Sequence, residues 1–189
     1  MRNLFRSLAV LMMTLTLGAC ASSRMVDLPQ PPKAISAPES GKATVVFLRP
    51  SYFGGAIQSS VFDIGAGATQ LVGIVSAGRK IAYAVSPGPR RFMVVGESAD
   101  FVDADLTAGK TYYARVEALW KARFSLTPVQ ADDASLTADL AACSWVENSP
   151  ESIRWAQDNF GSIEAKRTSY LMDWEKEANK PVLAPWGGR

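Results

Sequence analysis

The chain has 189 residues, of which 48% are hydrophobic and 20% charged, a composition that predicts one globular domain with appendages. It has no histidine and only two cysteines, so the commonest general base and metal ligand is missing, and we expect no metal site and no cofactor. A formal net charge of +2 gives no strong positive field, which argues against nucleic-acid binding.

The first 19 residues have the features of a bacterial export signal. Arg2 and Arg6 supply positive charge, and an apolar stretch follows over residues 7–17. This stretch is shorter than the roughly 20 residues that a membrane-spanning helix needs. We therefore predict a signal peptide over residues 1–19. Its removal would take two of the 20 basic residues and leave 18, equal to the 18 acidic residues.

Residues 17–20, with the sequence Leu-Gly-Ala-Cys, resemble the lipobox of bacterial lipoproteins. The resemblance implies transfer of diacylglycerol to the thiol of Cys20, cleavage before Cys20, and acylation of the new amino group. Small residues at Gly18 and Ala19 suit a peptidase site that binds extended chain. The alternative is an ordinary signal peptide that happens to end near a cysteine. The implied partner is a membrane, bound through the lipid anchor.

The residues after Cys20 predict a location and a tether. Ala21 stands where an aspartate would resemble the inner-membrane retention signal. In a cell with two membranes, the resemblance implies the periplasmic face of the outer membrane. Residues 20–41 contain four prolines and several small polar residues, so we predict a flexible tether without secondary structure.

Residues 42–130 are predicted to form an all-β domain. Short β-branched or alternating runs end at Gly or Pro about every 8–12 residues, which is typical of a sandwich or barrel. In one run Tyr112, Ala114, Val116 and Ala118 share a face. The predicted strands are 43–48, 60–64, 70–75, 80–85, 91–95, 101–106, 110–118 and 124–127.

Four segments of this domain, 43–49, 71–73, 85–88 and 106–113, are similar to a domain family of unknown function in bacterial lipoproteins. That family is itself similar to PEGA-type domains, and the resemblance covers about half of the chain. It implies a mainly β fold, an antiparallel β-sandwich of the PEGA-like or Ig-like type. The shared motifs are turns and strand starts, so they imply almost no chemistry. Such domains often place a histidine where this chain has residues 89–91, Pro-Arg-Arg, so no role of that histidine transfers.

Residues 131–189 are predicted to form a C-terminal helical extension, with a short helix over 132–142. A longer helix is expected to begin at residues 149–151, Ser-Pro-Glu, because Ser can cap, Pro suits the first position and Glu opposes the positive helix end. It should reach about Glu177, with Gly161 able to bend it, and Pro181 prevents continuation. Its apolar stripe comprises Ile153, Ala156, Phe160, Ile163, Tyr170 and Trp174.

This stripe has three interpretations. It packs on the sandwich, which we favour, or it docks another envelope protein, or it lies on a membrane surface. The third is disfavoured because carboxylates such as Asp158, Glu164 and Asp173 would face anionic lipid.

Two glycine-containing segments match nucleotide-binding motifs incompletely. Residues 108–111 end like a phosphate-binding loop, but Ala104 replaces the required glycine and a strand is predicted to follow. Residues 65–70 lack the third glycine of a dinucleotide motif, because Gln70 stands there. Both segments are predicted to be turns between strands.

Two charged segments could in principle form a binding or catalytic site, but we expect both to be solvated surface. Glu97, Asp100, Asp103 and Asp105 lie close in sequence, but they lack the spacing and glycine of a calcium loop. A pair of carboxylates that hydrolyses a glycosidic bond by acid–base catalysis is a still less favoured alternative. The basic residues in 89–92 are expected to keep a turn soluble rather than to hold an anion.

Cys143 would be the one free thiol once Cys20 carries lipid, so no intramolecular disulfide is expected. A buried apolar cysteine is favoured over an intermolecular disulfide. A cysteine nucleophile would need a base, and the chain has no histidine to supply one. We therefore predict no catalytic residue.

These features predict a non-catalytic, membrane-anchored envelope lipoprotein, not an enzyme. It would bind or position a periplasmic or cell-wall partner, including an envelope protein through the C-terminal helix. The alternative is a small-ligand binding lipoprotein with a tryptophan-lined pocket between sandwich and helix.

Overall fold

A computed structural model of the chain describes residues 24–28, 37–65 and 67–189. Within these ranges the chain is mainly β, with two mixed sheets and three short helices. The facing sides of the two sheets share one hydrophobic core, so the architecture is sandwich-like, as the strand pattern predicted. The predicted signal peptide and Cys20 lie outside the described residues.

The first sheet has six strands in the order β1-β10-β5-β2-β8-β9. Strands β2 and β8 are parallel, as are β10 and β5, and the remaining neighbours are antiparallel. The strands are β1 (Met25–Asp27), β10 (Ser144–Asn148), β5 (Arg79–Val85), β2 (Ala43–Arg49), β8 (Thr111–Leu119) and β9 (Arg123–Val129).

The second sheet has five strands in the order β11-β7-β6-β3-β4. Only the short β11 is parallel to its neighbour, β7. The strands are β11 (Val182–Leu183), β7 (Ala99–Leu106), β6 (Gly88–Val95), β3 (Ser60–Asp63) and β4 (Gln70–Ile74).

The prediction of a purely antiparallel sandwich is therefore wrong in its strand directions. Between β2 and β8 the chain enters the second sheet twice, as β3–β4 and as β6–β7, with β5 of the first sheet in between, and β8 then begins at the same end as β2. Strands that begin at the same end are parallel, and such a pairing requires a long crossover rather than a hairpin. The mixed sheets thus follow from the path of the chain between the two layers.

The core between the sheets is aromatic at its centre. Phe47 of β2 and Phe92 of β6 are fully buried, and their rings meet edge to face with centroids 5.1 Å apart. Each buried side chain of this size contributes about 1.5–3 kcal/mol through removal from water. On β8 the predicted face is confirmed, because Tyr112, Ala114 and Val116 all belong to this core.

Helix α1 (Leu136–Ala141) covers the outer face of the first sheet. Leu136 packs there with Leu48, Tyr113 and Trp145 in a second apolar cluster. The expected short helix over 132–142 is thus present, although its first turn begins later. The first sheet is buried on both sides at its centre, which explains why every residue of β2 is buried, whereas β5 beside it has exposed residues.

Helix α2 (Pro150–Asp158) begins as predicted. The hydroxyl of Ser149 accepts from the backbone N–H groups of Glu151 and Ser152, and the hydroxyl of Ser152 accepts from the N–H of Ser149. This reciprocal capping satisfies donors that the first helical turn leaves free. Pro150 occupies the first helical position.

The predicted single long helix is in fact two helices. Helix α3 (Phe160–Trp174) starts after a break at Asn159, not at Gly161. The Asn159 amide donates to the carbonyl oxygen of Trp155 at 2.8 Å, an oxygen that also accepts from the Asn159 backbone N–H. A short polar side chain that bonds the preceding turn in this way competes with helix continuation. The helix ends at Trp174, earlier than the predicted Glu177.

Three strands lie where none was predicted. β1 falls within the predicted tether, so the expectation that residues 20–41 hold no secondary structure is wrong at Met25–Asp27. β10 and β11 fall within the predicted helical extension. β1 pairs with β10, and the Met25 side chain is buried in the core beside Gly73. Pairing and burial, rather than local sequence, fix these short strands.

Candidate functional site

A buried guanidinium organises one end of the sandwich. Arg49, the last residue of β2, is fully buried and donates to the backbone oxygens of Phe53 at 3.0 Å, Gly54 at 2.7 Å and Ile57 at 2.9 Å. Burial lowers the pKa of Arg49, because water that would stabilise its charge is removed. Backbone dipoles take the place of that water, and they fix the 50–58 loop in one conformation.

The 50–58 loop presents two aromatic side chains to solvent. Tyr52 and Phe53 are 72% and 59% exposed. The loop lies beside the last residues of β8, because a side-chain carbon placed on Gly54 would stand 3.4 Å from the Cβ of Ala118. Gly54 has a positive φ of 62°, a conformation that glycine adopts without strain.

Two more exposed apolar residues follow each other at the end of β8: Leu119, the last residue of the strand, is 39% exposed, and Trp120, the first residue of the next turn, is 76% exposed. The turn, Trp120–Ala122, is a 3₁₀ turn in which Lys121 and Ala122 have positive φ angles of 62° and 56°. Two adjacent non-glycine residues in this region cost energy, and such strain is typical of functional sites. We name Tyr52, Phe53, Leu119 and Trp120 the aromatic end.

The first described residue, Arg24, lies at the same end. Its guanidinium donates to the side-chain oxygen of Gln58, in the 50–58 loop, and stacks over the Trp155 ring with 5.6 Å to the ring centroid. Its carbonyl oxygen accepts from the Ser149 hydroxyl at 2.6 Å. The chain is therefore fixed to the folded body from Arg24 onward.

Cys20, the predicted lipidation site, lies outside the described residues. None of the helices in the described ranges has the length and hydrophobicity needed to cross a membrane. The other cysteine, Cys143, is buried in the apolar cluster under α1, as the favoured interpretation had it.

A buried lysine lies beside Cys143. The Lys80 ammonium donates to the carbonyl oxygens of Leu140, at 2.6 Å, and Cys143, and lies 4.8 Å from the Trp145 ring centroid. A cation at these carbonyls stabilises the end of α1. Burial lowers the pKa of Lys80 and raises the pKa of the Cys143 thiol, which the Lys80 charge partly opposes. The arrangement stabilises α1 and keeps the thiol protonated.

The acidic residues singled out in the sequence do not converge. Asp103 forms an ion pair with Arg91 at 2.6 Å, whereas Asp100 accepts from the backbone N–H of Leu126 at 3.1 Å. Over the described ranges, no group of three potential ligands is placed to hold a metal ion. Arg91, from the basic segment, also reaches Glu175 at 3.0 Å and so ties α3 to the second sheet.

The two glycine-containing segments are turns between strands, as predicted. Residues 108–111 connect β7 to β8, with Gly109 at a φ of 77°. The described residues of the other segment, 65 and 67–69, lie between β3 and β4, and Gln70 already belongs to β4. Neither turn precedes a helix, so neither has the geometry of a phosphate-binding loop.

Some residues of the predicted apolar stripe are packed against the sandwich, and others are exposed. Ile163 and Trp174 are buried against Phe101 of the second sheet, which supports the favoured interpretation for that part of the stripe. Other apolar side chains of α2 and α3 remain exposed, from 40% to 62%: Ile153, Phe160, Tyr170 and Met172.

Several clefts lie between the sandwich and the helices, and one of them, between β6, β7 and α3, has a volume of about 570 Å³. The two that tryptophans line, beside Trp174 and beside Trp155, have volumes of about 320 and 240 Å³. A further cleft of about 540 Å³ lies over β4, β5 and β10 and includes Tyr83, Trp145 and Asn148. Room for a ligand is thus present both at the helix interface and away from it, and the two tryptophan-lined clefts at that interface are the smaller ones.

Tyr83 gives a pH-dependent signature of this cleft. Its hydroxyl donates to Asp63 at 3.2 Å, and burial, together with the Asp63 charge, raises the pKa of Tyr83 to about 12. The folded protein keeps this proton above the ordinary tyrosine pKa of 10. The contribution of Tyr83 to the free energy of unfolding is therefore complete below pH 10, and it is lost as pH rises through about 12.

An absorbance titration of the folded protein should therefore contain a tyrosinate component with a midpoint near pH 12. Tyr83→Phe should remove this component, and Tyr52→Phe serves as the control at an exposed position. A titration in which Tyr83→Phe leaves the high-pH component intact would contradict the assignment.

The sequence pattern missed Arg49 and Arg24. The strand predicted over 43–48 ends just before Arg49, and no local feature of the sequence marks this arginine as buried. Arg24 gave no signal, because its partners lie far away in sequence.

Comparisons with known proteins leave the family open. No family model matches the chain, and no curated protein matches it. A solved structure described as "NMR structure of the protein from Eubacterium rectale" is similar over 49% of this chain and 93% of its own, with 14% identity and a TM-score of 0.33. This similarity implies no shared function.

Proposed function

We propose that the chain is a non-catalytic envelope lipoprotein, anchored through Cys20, whose β-rich body binds or positions a partner at the membrane surface. The observation that carries the proposal is the position of Arg24. This residue follows Cys20 by four positions and is already fixed by Gln58, Trp155 and Ser149. A lipid on Cys20 would therefore hold the body close to the bilayer rather than at the end of a long tether.

The proposed location is the periplasmic face of the outer membrane, on the basis of the lipobox-like residues and Ala21. For the fold we propose the finer description of a PEGA-like sandwich, on the basis of the four similar segments. Mixed strand directions distinguish this chain from a simple antiparallel version of that fold.

The exposed side chains of α2 and α3 are the proposed contact with the partner. Phe160 is 50% exposed at the junction of the two helices, and Tyr170 follows along α3, whereas Met172, two residues further on, lies on another side of the helix. Apolar side chains presented by a helix are suited to a groove on another protein. The helices are also well fixed, because Trp174 is held between Arg91 and Lys180 at 4.8 and 5.5 Å.

Site-specific photocrosslinking in intact cells tests this proposal. A photoreactive phenylalanine at Phe160 or Tyr170 should give a reproducible envelope adduct, because these side chains would lie in the interface. The same probe at Trp186, which is 78% exposed and outside the helices, should not. Equal adducts at all three positions, or none at Phe160 and Tyr170, would refute the proposed contact.

A further inference from the structure

We infer that the aromatic end is a membrane-contact face, which lies against the bilayer with Tyr52, Phe53 and Trp120 in the headgroup region. The inference rests on the proposed anchoring at Cys20 and specifies how the body is oriented. The occupant of this surface is the lipid bilayer that carries the anchor.

The length of chain before Arg24 sets the distance. An extended chain covers about 3.5 Å per residue, so the Cα atoms of Cys20 and Arg24 can be at most about 14 Å apart. Arg24 in turn contacts Gln58, which belongs to the same loop as Tyr52 and Phe53. The aromatic end is therefore the part of the sandwich that the anchor brings to the membrane.

The side chains at this end suit a membrane interface. Tryptophan and tyrosine concentrate where apolar chains meet headgroups, because each has an apolar ring and a polar tip. Lys121 and Arg123, beside Trp120, are exposed and can approach lipid phosphates. Glu97 is an exposed carboxylate at the same end, since its backbone N–H donates to the carbonyl oxygen of Ala122, and it leaves two cations to one anion beside Trp120.

The aromatic end is held rigidly in its exposed form. Arg49 fixes the 50–58 loop through three carbonyl oxygens, and its guanidinium lies 4.7 Å from the Phe124 ring centroid at the base of the neighbouring turn. The carbonyl oxygen of Ala122 accepts from the N–H of Glu97 at 3.2 Å. These bonds keep apolar side chains outward, although collapse onto the body would remove them from water.

The chain supplies its own control at the opposite end of the sandwich. Trp186 is 78% exposed, and Trp120 is 76% exposed. Trp186 lies near Arg189, whose backbone exchanges hydrogen bonds with Thr111, the first residue of β8, whereas Trp120 follows the last residue of β8. A nine-residue strand places these ends about 30 Å apart. Under the inference, only Trp120 meets lipid.

Tryptophan quenching by brominated lipid tests the inference on the lipidated full-length protein. The protein is inserted into phosphatidylethanolamine and phosphatidylglycerol vesicles with or without bromine near the headgroup end of the acyl chains. We expect Trp120→Phe to reduce the quenched fraction about threefold and Trp186→Phe to leave it unchanged. A Tyr52→Ser, Phe53→Ser double variant should reduce the quenching of Trp120, because it removes the neighbouring contacts.

Each result has a separate meaning. If the lipidated protein is held by the vesicles and the two tryptophan variants are quenched alike, the orientation is wrong and the anchoring stands. If Cys20→Ser protein associates with vesicles as strongly as the lipidated form, the proposed anchoring itself is wrong. If quenching is lost in Trp120→Phe and retained in Trp186→Phe, the result supports both the anchoring at Cys20 and the orientation of the aromatic end.

Discussion

A Cys20→Ser variant is expected to leave the membrane pellet and appear in the soluble envelope fraction. Under the proposed lipidation, a serine offers no thiol to accept diacylglycerol, so the variant would carry no acyl chain. Two or three chains on one residue give stable attachment, because each buried methylene contributes about 0.8 kcal/mol. Cell fractionation and incorporation of labelled fatty acid measure the two consequences directly.

Cys143→Ala is the matched control for this experiment. Cys143 is the other cysteine and is buried under α1, so its replacement should leave membrane attachment and labelling unchanged. The lipoprotein assignment fails if Cys20→Ser still fractionates with membranes and the unaltered protein takes up no labelled fatty acid.

Replacement of Arg49 by methionine is expected to lower the free energy of unfolding by about 1–3 kcal/mol. Methionine fills much of the same volume, but the backbone oxygens of Phe53, Gly54 and Ile57 would lose their buried donor. Unsatisfied buried acceptors are costly, and the 50–58 loop would lose the bonds that fix it. Denaturant unfolding of the protein without its lipid measures the difference.

Arg79→Met provides the comparison for this change. Arg79 pairs with Asp27 at 2.5 Å, but the two side chains are 31% and 56% exposed. A solvent-exposed pair of this kind contributes only about 0–1 kcal/mol. If the two methionine variants lose equal stability, the buried network of Arg49 is not the source of the effect.

Local patterns predicted the elements that local chemistry determines. The alternation over 110–118 gave the inward face of β8, and Ser149-Pro150-Glu151 gave the start of α2. In both elements, the residues that form the sequence pattern are also the residues that determine the structure. Side chains alternate between the two faces of a strand, and capping residues lie within one turn of a helix start.

Contacts between distant residues determine what the sequence did not reveal. β1 exists because Met25 is buried beside Gly73 and because its backbone pairs with β10. The parallel pairing of β2 with β8 depends on the route of the chain between sheets, which no local pattern encodes. The break at Asn159 depends on one amide orientation.

The candidate site also has one part that the sequence could predict and one part that it could not. The lipobox-like residues that end at Cys20 are a contiguous motif, so sequence alone could propose them. The aromatic end is assembled from the 50–58 loop and the turn after β8, which meet through Gly54 and Ala118. Its recognition required the three-dimensional arrangement, as did the position of Arg24.

The strand order has a consequence for when this protein can fold. Met25 pairs with Asn148, Val45 with Tyr112, and Val182 with Asp103, so both sheets join segments separated by much of the chain. Loops of that length are entropically costly to close, and such topologies fold slowly. A nascent chain that has not yet supplied β10 and β11 cannot complete either sheet. Delayed completion would keep the chain unfolded for longer, which is what the proposed export through a membrane would require.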